Sequence, residues 1–410
     1  MIINKNIIKD LRNEYGDAFY LLDSEQFKKN YLELKNAFSE IYSNFNIAYS
    51  YKTNYIPKLC KIVNELGGYA EVVSDMEIEI AKRVGVPAEK IIFNGPYKNP
   101  RAVSELLLEG GCVNVDSLEE VSFIEKIAKN NPSHTINIGI RVNFDINDKV
   151  LSRFGIDVLS DKFGVIINDI ANISNIHLKE LHCHFATRSL ETWKPRAMGM
   201  TKLVKEYPLL ISDNIDLGGG LFGKMAESLK EQFLSYIPSY HEYAEQVATV
   251  FASEFAHTEQ KPKLVIEPGS ALVGDCMKFA AKVTGIKSVR GKNIATVLGS
   301  IYNINPTLNT KNPPINVYHN DMSAVREYED LDFGGFTCIE SDYLYRHFTG
   351  QLAVGDYVVF DNVGSYSIVL KPPFILPNFA ILDCSWDEDN IEVIKRAENF
   401  DDLFHTFSFE

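Results

Sequence analysis

A lysine closes one short apolar stretch of this chain, and a glutamate closes another more than two hundred residues later. In Asn46-Ile-Ala-Tyr-Ser-Tyr-Lys-Thr-Asn54 the run reads as a buried strand with Lys52 at its end. An amine so placed condenses with an aldehyde if burial or a nearby cation lowers its pKa; otherwise it is a solvated strand-end charge. Glu267-Pro-Gly269 follows a second such run. A buried carboxylate is costly unless paired. Its partner is either an arginine or a protonated pyridine nitrogen, which the carboxylate would keep cationic and therefore a strong electron sink. Gly218-Gly219-Gly220 follows a third run. Three glycines bare the backbone, so their N–H groups either point at a phosphate or simply make a tight turn. His182-Cys-His184 lies on a strand, which puts both imidazoles on one side. That pair reads as two zinc ligands, or as one packed histidine and one ring stacked on something planar. No other His/Asp/Glu cluster has ligand spacing, and no metal is expected.

These residues need a scaffold that brings strand ends together. Apolar runs at Ile47–Tyr51, Tyr69–Val73, Ile91–Phe93 and Val113–Val115 recur every 22 residues. Amphipathic stretches at Ile56–Leu66, Asp75–Val84, Asn99–Glu109 and Leu118–Asn130 separate them. Strand, helix, strand at this period predicts a parallel sheet. The rhythm continues through Thr135–Val142, Leu178–Phe185, Asn214–Leu217 and Leu264–Ile266. Eight strands close a (β/α)8 barrel, whose active site lies at the carboxyl ends of its strands. An open doubly wound sheet is the alternative, weakened by the absence of GxGxxG after the first strand. The strand ends are Lys52; Glu71 and Ser74; Asn94-Gly95; Asp116; Arg141 and Asn143; His184; Gly218–Gly220; and Glu267-Pro-Gly269.

Beyond about residue 272 the strands are short and broken by Gly, Asp, Asn and Pro. Phe279–Thr284, Ile294–Leu298, Ile315–Tyr318, Asp356–Asp361, Tyr366–Leu370 and Phe379–Leu382 predict an antiparallel β domain. Near the start, Ala18–Leu22 is a strand, and Ser24 is the expected N-cap of a helix over Glu25–Tyr42. The tail from Trp386 is acidic and weakly helical. The division expected is a barrel over 28–272 and a β domain from 1–27 and 273–410, with the N-terminal strand joining the C-terminal sandwich or barrel.

The net charge of −14 argues against a nucleic-acid surface. No apolar run is long enough to span a membrane, and the opening Met-Ile-Ile-Asn-Lys is not a signal peptide. Six scattered cysteines without CxxC suggest reduced thiols, hence a cytoplasmic protein.

Taken in order, these motifs resemble those of the fold-type III pyridoxal-phosphate enzymes, within them the diaminopimelate/ornithine decarboxylase family. Tyr-Ser-Tyr-Lys-Thr-Asn is similar to the family's Schiff-base motif, Arg153-Phe-Gly-Ile to its Lys/Arg-Phe-Gly, and His184-Phe-Ala-Thr187 to its His-x-Gly-Ser. Gly218–Gly220 stands at the phosphate glycines, and Glu267-Pro-Gly at the glutamate facing the pyridine nitrogen. Cys338 to Asp342 keeps the spacing of a motif that crosses the dimer interface, and Gly364-Ser-Tyr366 resembles Gly-Ala-Tyr. The resemblance implies a barrel of the alanine-racemase type and pyridoxal 5'-phosphate as cofactor. It implies Lys52 and Cys338 as catalytic residues. It implies His184, Thr187, Gly218, Gly219, Gly220, Glu267, Gly269 and Tyr366 around the cofactor, and a homodimer with active sites at the interface. The activity implied is amino-acid decarboxylation. A glutamate facing the ring nitrogen, where related racemases carry an arginine, favours it over racemisation. A catalytically inactive regulator on this fold would tolerate loss of the lysine, glutamate or cysteine, and all three are present.

The substrate positions depart from the family. Ser270 stands for the arginine after Glu-Pro-Gly, Asn305-Pro-Thr-Leu-Asn309 for Arg-Pro-x-Leu-Tyr, and Ile339 for the acid after the motif cysteine. An arginine fork is not replaced by an amide. Arg188, Asn305, Glu340 and Asp342 are the candidate substrate residues. The expectation is therefore a modified or conjugated diamino acid, of the kind used in siderophore or antibiotic assembly, with free diaminopimelate as the alternative.

Overall fold

A computed structural model describes residues 3–259, 261–321, 324–385 and 391–409. The chain forms two compact units, one of Lys28–Gly223 with Ser235–Ala271, the other of Met1–Phe27, Lys224–Leu234 and Leu272–Glu410. Lys224–Leu234 thus falls in the second unit, inside the 28–272 span that the sequence assigns to the barrel.

Strand β1 (Ala18–Leu22) belongs to the second unit. The first is built from β2 (Phe45–Ser50), β3 (Tyr69–Val72), β4 (Ile91–Phe93), β5 (Cys112–Val115), β6 (Ile136–Asn143), a two-residue β7 (Ile156–Asp157), β8 (Ile176–His182), β9 (Asn214–Asp216) and β10 (Lys263–Ile266). All pair in parallel, in the order β2-β3-β4-β5-β6-β8-β9-β10, and β10 returns to β2 through Leu264–Phe45 and Ile266–Ile47. The sheet is therefore a closed eight-strand barrel, with β7 attached to β6. Every residue of β2, β4, β5 and β9 is buried. Covered on both faces, such strands need continuous apolar runs, which is why their positions are readable. Helix starts are marked too. Ser74 and Ser117 accept N–H bonds from Glu77 and Glu120, and Pro57 and Pro100 occupy first turns.

Inside the barrel one glycine makes room for a polar side chain. A Cβ on Gly139 of β6 would lie 1.6 Å from Asn114 Oδ1 on β5.

In the second unit β1 lies between β17 (Ala380–Asp383), to which it is parallel, and the long β11 (Met277–Val289), to which it is antiparallel. Around them run β12 (Lys292–Val297), β13 (Ile315–Tyr318), β14 (Arg326–Gly334), β15 (Tyr343–Leu352), β16 (Tyr357–Phe360) and β18 (Glu392–Lys395). Their pairing is mostly antiparallel; β12 with β14 is parallel. Ile8 and Leu11 of helix Lys5–Tyr15 pack on Phe19, Leu21, Ala280, Val359 and Leu382.

Four local expectations change. Tyr366–Leu370 is a turn rather than a strand: Tyr366 has φ +64° and its carbonyl accepts the Leu370 N–H. Strands β14 and β15 carry no apolar run, because exposed charged residues interrupt the first and exposed polar ones the second. The helix starts at Ser24, so Asp23 caps it by accepting Gln26 N–H at 2.9 Å, while Ser24 Oγ donates to Asp383 Oδ2 at 2.6 Å. The tail contains β18 and a short helix, Phe400–Phe404; Trp386 to Asn390 lie outside the described residues.

Gly139→Ala forces the Asn114 amide out of place, an overpacking cost of about 1–3 kcal/mol. A lowered denaturant midpoint checks this; an unchanged midpoint would show that the amide has room to move.

Candidate active site

Lys52 sits in the single turn Tyr51–Thr53 that follows β2. Its Nζ donates to Glu71 Oε2, and its side chain is one-third exposed while Glu71 is fully buried. Glu71, on β3, also accepts Ser50 Oγ at 2.6 Å and Asn94 Nδ2 at 3.1 Å. Asn94 follows β4, and the same Nδ2 donates to Glu267 Oε1 at 2.5 Å. Glu267 follows β10 and is buried. Burial alone would raise its pKa, yet His182 and Lys52 hold it well below the usual carboxylate range.

His184 is pushed down to about 4 by burial, against the attraction of Glu267, so its ring is neutral at pH 7. Its Nδ1 accepts the Gly219 N–H at 3.1 Å, which leaves the ring proton on Nε2. The 3.5 Å approach of Glu267 Oε2 to Nδ1 is then a close contact rather than a hydrogen bond. The result is a flat, neutral, part-exposed ring fixed at the end of β8.

Gly218–Gly220 follows β9. Gly218 and Gly220 have φ +70° and +95°, left-handed values that other residues rarely adopt. A Cβ on Gly219 would lie 2.5 Å from the Glu267 carbonyl oxygen. The loop is held from below by Arg196, whose guanidinium donates to the carbonyls of Gly219 at 2.8 Å and Thr187 at 2.7 Å. Gly269 has a similar constraint, since a Cβ there would meet Thr53 Oγ1 at 2.0 Å.

The barrel unit thus gathers Lys52, His184, Thr187, Gly218–Gly220, Glu267 and Gly269 around its strand ends. Arg188 follows Thr187; its guanidinium lies over the Phe222 ring at 5.6 Å, and its carbonyl accepts Tyr243 Oη–H at 2.7 Å.

The remaining candidates lie in the second unit. Cys338 and Glu340 are exposed on the loop between β14 and β15. Asp342 is buried and already engaged: it accepts Thr337 Oγ1 at 2.6 Å, Ile301 N at 2.7 Å and Ser300 Oγ at 3.1 Å. Its carboxylate braces the loop that carries Cys338. Asn305 likewise closes its own turn, accepting Asn309 Nδ2 and donating to the Asn309 carbonyl, both at 2.8 Å. Tyr366 is half-buried in its left-handed turn.

Several site residues escape sequence reasoning. Glu71 and Asn94 stand among the strand ends, but nothing in the sequence ties them to Lys52 and Glu267. Arg196 is a mid-helix arginine with no distinguishing signal. Beneath the mouth, Glu180 and Asp216 are fully buried. Burial raises both pKa values, Asp216 very strongly, and repulsion from Glu267 adds to each. Ligand atoms of His182, Asp216 and Glu267 lie within 4.8 Å of one another.

The set fits a phosphorylated pyridine aldehyde. It offers an amine beside a carboxylate, a separate ionised carboxylate, a neutral flat ring, and a backbone cradle that no Cβ would leave open. Both ring nitrogens of buried His182 lack hydrogen-bond partners, so polar capacity remains next to Glu267.

Residues 25–274 match the family model described as the pyridoxal-binding domain of pyridoxal-dependent decarboxylases. The chain is similar to the diaminopimelate decarboxylase of Aquifex aeolicus, at 24% identity over 96% of this chain and 92% of that protein. It is 27% identical to that of Methanocaldococcus jannaschii over 88% and 84%. The solved M. jannaschii diaminopimelate decarboxylase shares its fold, with a TM-score of 0.84 at 23% identity over 98% and 94% of the two chains. The Helicobacter pylori enzyme complexed with L-lysine gives 0.82 at 22% identity over 97% and 98%.

Among the described residues no helix is long and apolar enough to cross a membrane.

Asp216 holds a proton in the folded state that the unfolded chain releases above about pH 4. Its contribution is therefore full at acid pH and is lost as pH rises toward the folded pKa. Asp216→Asn keeps an acceptor for the Gly218 N–H and removes this term. Melting temperature followed from about pH 4 to pH 8 should fall less steeply in the variant than in the parent; parallel curves would contradict the assignment.

Proposed function

The chain belongs to the pyridoxal-dependent decarboxylases and uses pyridoxal phosphate, and from that premise we propose that it removes the α-carboxylate of diaminopimelate. The observation that carries this reading is the run of diaminopimelate decarboxylases matching nearly the whole chain, together with a barrel mouth that keeps Lys52, His184 and Glu267. A second reading keeps the reaction and changes the substrate to a modified or conjugated diamino acid. Ser270, Asn309 and Ile339 motivate it, because they remove the arginines, tyrosine and acid that would grip the distal end. None of the relatives above supports it, so free diaminopimelate comes first.

When bound, the cofactor supplies an aldehyde that condenses with amines and a ring that accepts the electrons of the departing carboxylate. Lys52 would hold the aldehyde carbon, with its Nζ kept in place by Glu71. Glu267, ionised at neutral pH, would hold a proton at the ring nitrogen. The neutral His184 ring would cover one face of the cofactor and exclude water there. Gly218, Gly219 and Gly220, the Thr187 hydroxyl and Tyr366 would hold the phosphate, and Gly269 would let Thr53 come close. Cys338 Sγ, from the partner subunit of a homodimer, would return a proton to the α carbon. Arg188 and Glu340 are the side chains proposed for the distal end of the substrate. Asp342 and Asn305, which also brace their own loops, are proposed for the same end. The cell compartment we propose is the cytoplasm.

Carbon dioxide release tests the substrate. Purified protein should act on meso-diaminopimelate with a kcat/KM above that for its N-acylated derivatives; the reverse order would select the second reading. Cys338→Ala should lower kcat by about 10²–10⁴-fold while leaving the cofactor's visible band intact. Undiminished turnover would remove Cys338 from the mechanism.

A further inference from the structure

One side chain touches both carboxylates that matter at the barrel mouth. Asn94 is buried, and its Nδ2 donates to Glu71 Oε1 at 3.1 Å and to Glu267 Oε1 at 2.5 Å. Its amide cannot be turned over, because Asn114 Nδ2 donates to Asn94 Oδ1 at 2.8 Å. Asn114 is itself fixed: the same nitrogen donates to Glu180 Oε1 at 2.7 Å, and Gly139 supplies the space for its carbonyl. Two neighbouring carboxylates therefore share one oriented NH2 group, and a second amide sets that orientation.

We propose that Asn94 is a positioning residue for the reaction, locking the counter-ion of Lys52 and the ring-facing carboxylate Glu267 into one rigid unit, with Asn114 as its anchor. Glu71 has two other donors, Ser50 Oγ and Lys52 Nζ. Glu267 has the histidines only at 3.4 and 3.5 Å, so its aim depends most on Asn94. An apolar residue at position 94 would leave two carboxylates facing each other with no donor between them. The other titratable groups coupled to this pair are Lys52, Glu77, Glu180, Cys183, Asp216 and the two histidines, with Arg141 acting on His184. None of them replaces a donor placed between the two oxygens.

The test is the visible absorption of the cofactor-loaded protein, titrated with pH in the absence of substrate, so it does not depend on which amino acid is decarboxylated. In Asn94→Ala one of the two carboxylates takes up a proton, the negative field at Lys52 weakens, and the pH midpoint of the band should fall by about one unit. Asn94→Asp keeps the shape and adds a potential charge, so its midpoint should stay or rise. Asn114→Ala, which only frees the Asn94 amide, should lower the midpoint by less than Asn94→Ala and serves if that variant does not fold. Thermal melting of each variant reports folding separately. Wild-type midpoints in Asn94→Ala and Asn114→Ala, or the same shift in Asn94→Ala and Asn94→Asp, would overturn the proposal.

Discussion

Buried negative charge is the constraint on which this site depends. Glu71, Glu180, Asp216 and Glu267 all project into one closed barrel. Glu71 and Glu267 accept from the same nitrogen, so their oxygens are close enough to repel by roughly 3 kcal/mol at an effective dielectric of about 20. The barrel meets this in two ways. Burial and repulsion from Glu267 and Glu180 push the carboxyl of Asp216, deep and poorly partnered, well above the usual carboxylate range. Glu267, near the mouth, is kept ionised by His182 and Lys52. Environment alone thus separates groups of the same chemistry into a proton holder and an anion.

The scaffold explains why such an arrangement holds. The polar groups come from seven of the eight strands: Ser50 from β2, Glu71 from β3, Asn94 after β4, Asn114 from β5, Glu180 and His182 from β8, Asp216 from β9 and Glu267 after β10. A closed parallel ladder fixes those strands in register, so the hydrogen-bond chain between them is set by backbone geometry. Glycine supplies the remaining space, at Gly139 for an amide and at Gly218–Gly220 for a loop that no side chain could enter. Arg196 then ties that loop to the helix Trp193–Glu206.

Much of this was legible in the sequence, for physical reasons. Barrel strands are buried on both faces, so their apolar runs stand out, and Ile91–Phe93 and Leu118–Asn130 were placed to the residue. Lys52, His184, Gly218–Gly220 and Glu267 were visible because each follows such a run. The hairpin β14–β15 was not, since exposed charged residues in β14 and exposed polar ones in β15 break up any apolar run. That Asp342 and Asn305 brace their own loops was not legible, because spacing says nothing about which donors a carboxylate or amide has already met. Asn94 and Arg196 gain their meaning only from three-dimensional neighbours. The substrate was the hardest to read. The missing clamp residues pointed to a modified diamino acid, whereas the relatives point to diaminopimelate.

The claim at the centre is that Lys52 is the amine that binds the cofactor. Reduction of the loaded protein with borohydride, followed by peptide mass analysis, addresses it directly. The account predicts a pyridoxyl group on the peptide carrying Lys52 and on no other lysine. Attachment at a different lysine, or none at Lys52, would contradict it.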